Sequence, residues 1–358
     1  MSADLIPYAG NLTWLRARTI FFARHGSHAY GLNIASSDED FKGVVIPPRE
    51  YFLGFAEHFE QAESKTPDMV VYDIRKLMAL AADCNPNIIE VLWSEPLVIT
   101  PAGERLQAAR HLFLSRKAKH TFSGYALAQL KRIRTHYRWI KSPPSRAPLR
   151  SELGLPERTL IPGDQLAAAQ SAIQKKLADF ELDFLHEVDP ASRILLQTKV
   201  AEVLAEAQVS SSDRWKGAAR TVGYDENFIL LLDRERQFTA KQREWEQFNT
   251  WKATRNPARA ALEEKYGYDT KHAMHLVRLL RMCREILERG EVVVKRPDRE
   301  ELLAIRGGAW SYDQLVEFAE KEDAALDEVA RASSLPRAPD RTHLSALCTD
   351  LVAEAISR

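Results

Sequence analysis

The stretch that most constrains this chain runs Gly26-Ser27-His28-Ala29-Tyr30-Gly31 and continues as Ser37-Asp38-Glu39-Asp40-Phe41-Lys42-Gly43-Val44-Val45. Ahead of it, Thr19-Ile20-Phe21-Phe22-Ala23 is a β-branched and aromatic run that predicts a buried strand. Behind it, Phe41 and Val44-Val45-Ile46 predict a second strand, which Pro47-Pro48 stops. A Gly-Ser turn therefore leaves one strand, and two carboxylates two residues apart sit at the next. Side chains alternate along a strand, so Asp38 and Asp40 are expected on one side. Like charges held together repel unless a cation lies between them. Hard divalent ions such as Mg2+ take carboxylate oxygens and share the remaining positions with water and substrate phosphates. Gly26 and Ser27 let backbone N–H groups approach a phosphate closely. A Gly-Ser pair alone is most often a turn, and a lone Asp-x-Asp a solvated loop. Together, each joined to a strand, they point to a metal clamp beside a phosphate cradle.

Gly-Ser, a short gap and Asp-x-Asp on a strand resemble the nucleotidyltransferases of the DNA polymerase β superfamily. More narrowly, Gly-Ser-His-Ala-Tyr-Gly, Ser-Asp-x-Asp and Lys-Gly-Val resemble bacterial and phage predicted nucleotidyltransferases, some of which accompany RNA ligases. The resemblance implies an α/β (α+β) polymerase-β-like core with a mixed sheet and a large, mostly helical C-terminal region. The expected division is a catalytic core over residues 1–105 and a helical region over 106–358 closing over the active site.

Within the core, Met69-Val70-Val71-Tyr72 predicts a strand, and Ile74, Leu77, Met78, Leu80 and Ala81 mark the apolar face of a helix after it. The superfamily's strand-then-helix order implies that Asp73 is the third carboxylate of the clamp. Its plain alternative is a helix N-cap, and Asp68, at the other end of the strand, is its rival. Tyr51 to Phe55 is expected as a packed turn and residues 58–63 as a weak strand. Asn-Pro at 85–86 breaks the helix, with Asn87 placed to cap a short new one; this segment also resembles the family, and Glu90 reads as structural. Leu97-Val98-Ile99 is expected as a closing edge strand.

Fifty Lys and Arg balance fifty Asp and Glu, so nucleic-acid binding has no global electrostatic support and would need a local patch. One candidate is the stretch 131–141, where Lys131, Arg132, Arg134, His136, Arg138 and Lys141 are interleaved with Tyr137 and Trp139 on a helix expected from about Ser123. A solvated helix face is the commoner meaning of such a run. Cys84, Cys283 and Cys348 are too few and too far apart for a disulfide framework or a zinc site, which fits a cytoplasmic location. No stretch approaches a membrane span. Prolines at 143, 144, 148, 156 and 162 predict a connecting arm, and 163–245 reads as helical, with bundle-like periodicity over 166–177 and 194–207, a loop at 210–213 and a solvated helix over 234–243.

A second dense stretch is Tyr266-Gly267-Tyr268-Asp269-Thr270-Lys271-His272-Ala273. Asp269 or Thr270 can cap a helix whose apolar face is Leu276, Leu279, Leu280, Cys283 and Leu287. At 100° per residue, Lys271, His275 and Arg278 share a narrow sector away from that face, whereas His272 falls at its edge and reads as a satisfied, half-buried histidine. Three potentially cationic groups at that spacing need an anion or water against them, and helix N-terminal N–H groups favour anions as well. The family's Tyr-Gly-Tyr-Asp-x-Lys-His-Ala block is similar, which favours a triphosphate over water. Residues 291–295 are expected as a short strand, and helices over 299–306, 312–330 and 341–357.

The implied reaction is transfer of a nucleoside monophosphate from an NTP, ATP foremost, to an acceptor hydroxyl, with an RNA 3′ end as the first expectation and pyrophosphate as product. The two-metal scheme implies two Mg2+ ions, with Mn2+ as a substitute, on Asp38, Asp40 and Asp73. Gly26, Ser27, Lys42, Lys271, His275 and Arg278 are the candidate nucleotide-binding residues. Two other classes remain open: nucleotidylation of a protein partner, and a non-enzymatic NTP-sensing or nucleic-acid-binding module. The intact Asp-x-Asp disfavours the last.

Overall fold

The computed structural model describes residues 6–8, 10–55, 58–182 and 212–357. Among them, five strands form one sheet: β1 Thr19–His25, β2 Asp40–Val45, β3 Gln61–Lys65, β4 Asp68–Asp73 and β5 Pro96–Ile99. Their order is β3-β4-β2-β1-β5, with β2 and β4 parallel and the other neighbours antiparallel. The mixed sheet and the edge position of β5 follow the expectation. The weak strand expected over 58–63 lies slightly later, as β3.

Period-two alternation divides the side chains between two apolar layers. Phe21, Ala23 and Val44 face the larger core, with Ile74, Leu77 and Met78 of α4 (Ile74–Ala82). Phe22, Phe41, Val45, Met69 and Val71 face a smaller layer with Ile6, Leu15 and Phe59. There Phe22 and Phe41 stack with ring centroids 5.4 Å apart.

The helices before and within the sheet are short: α1 Leu15–Arg18, α2 Gly26–Tyr30, α3 Glu50–Leu53, α5 Pro86–Ile89 and α6 Pro101–Ala108. The packed turn expected near Tyr51 is α3, and Phe55 beyond it is fully exposed. Asn85, not Asn87, caps α5: its side chain accepts from the Asn87 N–H, while Pro86 fills the first helical position, where no N–H is needed.

The compact units do not follow the expected boundary at 105. One comprises residues 1–141 and 256–358, the other 142–255. The first includes α7 Ala118–Lys141, α11 Pro257–Tyr266, α12 Thr270–Arg289, α13 Arg299–Arg306, α14 Tyr312–Ala332 and α15 Arg341–Ile356. Its cause lies in α12, buried on most of its circumference: Leu276, Leu279, Leu280, Cys283 and Leu287 share one core with Phe21, Val44, Phe122 and Leu130. A helix from the last third of the chain is thus part of the sheet's own core. Residues 291–295 form no strand.

The second unit packs α8 Gly163–Leu182, α9 Ser212–Val222 and α10 Glu226–Thr254 around Ile173, Trp215, Ile229 and Leu232. The solvated helix expected over 234–243 is the middle of α10, and it is not wholly solvated: Glu235 is buried against Arg150, 2.9 Å from its Nη1. The bundle periodicity read over 194–207 lies outside the described residues, as does the start of the loop expected at 210–213. Among the described residues no helix is long and apolar enough to cross a membrane, and all three cysteines are unpaired.

Candidate active site

The end of β1 delivers His25, the turn begins at Gly26, and β2 begins at Asp40, directly opposite His25 in the antiparallel register. Gly26 has φ +62°, and a Cβ built there would overlap the Asp40 carboxylate. A glycine is therefore required both by the left-handed backbone and by the close approach of that carboxylate. Asp38 precedes β2 in irregular backbone, so strand alternation does not place it as expected. It is nonetheless close enough to act on Asp40 electrostatically. Burial raises the Asp40 pKa, and the carboxylates of Asp68 and then Asp38 raise it further.

Asp68 is the direct partner of Asp40 across the parallel β2–β4 pair. Paired residues of neighbouring strands point to the same face, so these two carboxylates share one. Asp73 is not brought to them. It pairs with Val45 at the far end of the same strands, roughly 16 Å further along at about 3.3 Å per residue. Five residues also change the parity of its side chain. It caps α4 by accepting from the Arg75 N–H at 2.7 Å, and it holds the Arg75 guanidinium with Nη2 at 2.6 Å. The assignment of Asp73 as third carboxylate is thereby corrected. It rested on the strand-then-helix order, which does not say which end of β4 lies beside the start of β2; in this parallel pair that end carries Asp68.

Lys42 follows Asp40 on the same face of β2 and donates to the Asn87 carbonyl at 2.5 Å. Burial lowers its pKa to about 8, against the opposing pull of Glu90, Asp40 and Asp68. His25 is buried, and burial, then Lys42 and Arg278, push its pKa well below the usual histidine value. His25 Nδ1 and His28 Nε2 are buried without a hydrogen-bond partner. Buried polar atoms are rarely left so; His25 pairs with Asp40 across the strands, and His28 acts on Asp40 electrostatically. Neither histidine stood out in the sequence, although His28 lies inside the first motif.

The sector of α12 that carries Lys271, His275 and Arg278 does face inward. Lys271 is half-buried and acts on both Asp38 and Asp40. His275 is held neutral: burial, then Arg278 and Lys271, bring its pKa down to about 3. Arg278 has a different place from the expected phosphate contact. It is buried, its Nη1 donates to Glu90 Oε1 at 2.8 Å, and its guanidinium lies 3.7 Å from the centre of the Tyr30 ring. Tyr30 in turn donates its hydroxyl to Glu90. Arg278 is thus neutralised within the protein and ties α12 to α2. His272 is buried and bonded to Asp269, as its position at the edge of the apolar face implied.

On the basic helix α7, the expected aromatic contacts are used internally. Tyr137 stacks on Tyr312 with centroids 3.9 Å apart, and Trp139 is buried. The cations remain outward: Lys131, Arg134 and Arg138, with Leu127, Leu130, Thr135 and Tyr312, line a cleft of about 520 Å3.

Residues 12–142 match the RNA repair pathway DNA polymerase beta family, RlaP. The N-terminal region is polymerase-β-like. This match bears out the resemblance read from the first motif and ends at the close of α7. A protein of Enterobacteria phage T4, an uncharacterized 38.9 kDa product of the nrdC-mobD intergenic region, is 22% identical to this chain over 335 residues. That similarity covers 88% of the chain and 90% of the phage protein. No solved structure matches at a significant level.

The oxygen donors around Asp40 suit a hard divalent cation, and their mutual repulsion is what such an ion would relieve. Among the described residues, no three His, Cys, Asp or Glu side chains already stand together as a metal cage.

Proposed function

We propose that this chain is a nucleotidyltransferase that moves a nucleoside monophosphate from an NTP, ATP foremost, to an acceptor hydroxyl and releases pyrophosphate. The observation that supports the reading is the pairing of Asp40 with Asp68 beside the Gly26 turn, with Asp38 acting on Asp40 electrostatically, within a polymerase-β-like region. Asp38, Asp40 and Asp68 would hold Mg2+, or Mn2+ in its place, which when bound supplies Lewis-acid activation of the acceptor hydroxyl and neutralises phosphate charge. Gly26 and Ser27 would let backbone N–H groups contact a phosphate. Lys271 would offset negative charge on Asp38 and Asp40. The partnerless nitrogens of His25 and His28 offer hydrogen bonds to a polar substrate. Arg278 and Glu90 act at one remove, fixing α12 against α2.

For the acceptor we propose an RNA 3′ end, supported by the cation-lined cleft on α7. The test is incubation with each α-labelled NTP, Mg2+, and an RNA with an intact 3′ hydroxyl. Transfer of label to the RNA, lost when the 3′ end is blocked, is the expected result. Label on protein with bare RNA would replace the RNA acceptor by a protein one. No transfer to either, at full occupancy by NTP, would leave a binding module.

A further inference from the structure

Cations that the sequence keeps far apart converge around the first turn of α12. The Arg259 Nη1 of α11 stands 2.9 Å from His272 Nε2, and the Arg132 Nη1 of α7 stands 3.3 Å from the same nitrogen. Both guanidinium groups can only donate, so Nε2 is the unprotonated nitrogen. The ring proton lies on Nδ1, which is 2.6 Å from Asp269 Oδ2. One neutral imidazole therefore gathers two positive charges at a single point. The Arg306 carbonyl accepts from the Thr270 hydroxyl at 2.7 Å, which fixes the end of α13 against the start of α12. Lys271, the next residue, feels both Arg306 and Arg259: burial, then these two cations, lower its pKa.

The local countercharge is small. Asp269 is buried and occupied by His272 through both carboxylate oxygens, and it lies 3.9 Å from Arg259. Glu263, on the same helix as Arg259, is engaged by His136 at 3.2 Å. Among the described residues no carboxylate is within ion-pair distance of Lys271 or Arg306. Four cations thus gather around Asp269, which is committed to His272; the other carboxylates acting on Lys271 are Asp38 and Asp40 of the candidate metal site, and in a half-buried place like charges repel strongly. An anion of several charges is what this arrangement lacks. Guanidinium forks suit phosphate oxygens in particular.

We propose that Arg259, Lys271 and Arg306, with Arg132 at the rim, form an oligophosphate subsite, which takes the terminal phosphates of the nucleotide and retains pyrophosphate after transfer. The assignment to a nucleotide rests on the nucleotidyltransferase reading; the affinity for an oligophosphate does not. The subsite explains why Lys271 needs companions that its own helix face does not provide, since His275 is neutral and Arg278 is committed to Glu90.

The probe is inorganic tripolyphosphate, titrated calorimetrically into the whole chain in EDTA, so that no metal contributes. Wild type should bind it, and Arg306→Ala and Arg259→Ala should each weaken binding by at least about tenfold, the size of one charge-assisted phosphate contact. The Arg306 side chain has no ion-pair partner to lose, so its variant should keep the wild-type melting temperature. Arg259→Lys should bind between wild type and Arg259→Ala, because it keeps the charge and loses the fork. Equal tripolyphosphate affinity in wild type and a folded Arg306→Ala, Arg259→Lys double variant would overturn the subsite, and nucleotidyl transfer with unchanged KM in that variant would leave the reaction standing without it. Conversely, tripolyphosphate binding that depends on these residues, in a chain that transfers no nucleotide, would keep the subsite and remove the reaction.

Discussion

Asp40 concentrates the unfavourable electrostatics of the site, since burial and two neighbouring carboxylates all act against its charge. Strand direction puts Asp68, not Asp73, beside Asp40, and the two choices of third carboxylate give opposite outcomes. Asp68→Asn should depress Mg2+-dependent transfer by orders of magnitude with the fold intact. Asp73→Asn should cost about 0.5–2 kcal/mol of stability, as lost caps do, with transfer retained; denaturant melts and turnover of both variants settle the assignment. His275 yields a pH prediction. Its folded pKa, about 3, lies below the usual histidine value of 6.5. Between these values the unfolded chain binds the extra proton, so stability falls as pH falls through that window. The slope of stability against pH should be steeper for wild type than for His275→Gln by up to one proton, about 1.36 kcal/mol per pH unit. Parallel curves from pH 6.5 to 4 would show that His275 is not held neutral. At this scale the approach of the Gly26 turn to Asp40 was legible because the motif is local, whereas the strand placement expected of Asp38 was not observed. Asp68 was visible only as a rival, since nothing in a strand's own residues states the direction of its neighbour.

Among the elements, α12 carries the most information that one-dimensional periodicity cannot hold. Its apolar face was readable from spacing and its cap was narrowed to Asp269 or Thr270; the face is observed, and Asp269 is the cap. The charged sector was readable as a sector, but its three members have three different fates, which spacing alone does not distinguish. Arg278 meets Glu90 across 188 residues, and the ring of Tyr30 covers its guanidinium. Removing one member of a buried ion pair leaves the other charge without compensation, at a cost of about 3–5 kcal/mol. Arg278→Ala should therefore lower stability by that order, measured by chemical denaturation, in place of the selective loss of NTP affinity expected of a phosphate ligand. Tyr30→Phe, which keeps the ring and removes the hydroxyl, should be milder. If Arg278→Ala melts like wild type and only NTP affinity falls, the strut between α2 and α12 is not the role of this arginine.

At the scale of the whole molecule, the polymerase-β-like sheet was legible in its strands, its mixed character and its edge. The expected boundary at 105 was not the structural one. Composition changes there from strand-rich to helix-rich, but packing does not: α7 and α12 bury their apolar faces in the same core as Phe21 and Val44. A change in secondary structure marks a domain boundary only where the core also ends, and here it ends near 141 and resumes near 256. The proposed function draws on that resumption, because the late segment puts Lys271 under the electrostatic influence of Asp38, more than two hundred residues earlier. The most direct measurement is NTP-dependent pyrophosphate release with an acceptor present, compared across wild type, Asp40→Asn and Asp68→Asn, with Mg2+ and with EDTA. Wild type should release pyrophosphate with Mg2+ alone, and both variants should release near-background amounts although they fold and melt like wild type. Release by folded Asp40→Asn within a fewfold of wild type, or release undiminished in EDTA, would contradict metal-dependent nucleotidyl transfer at these carboxylates.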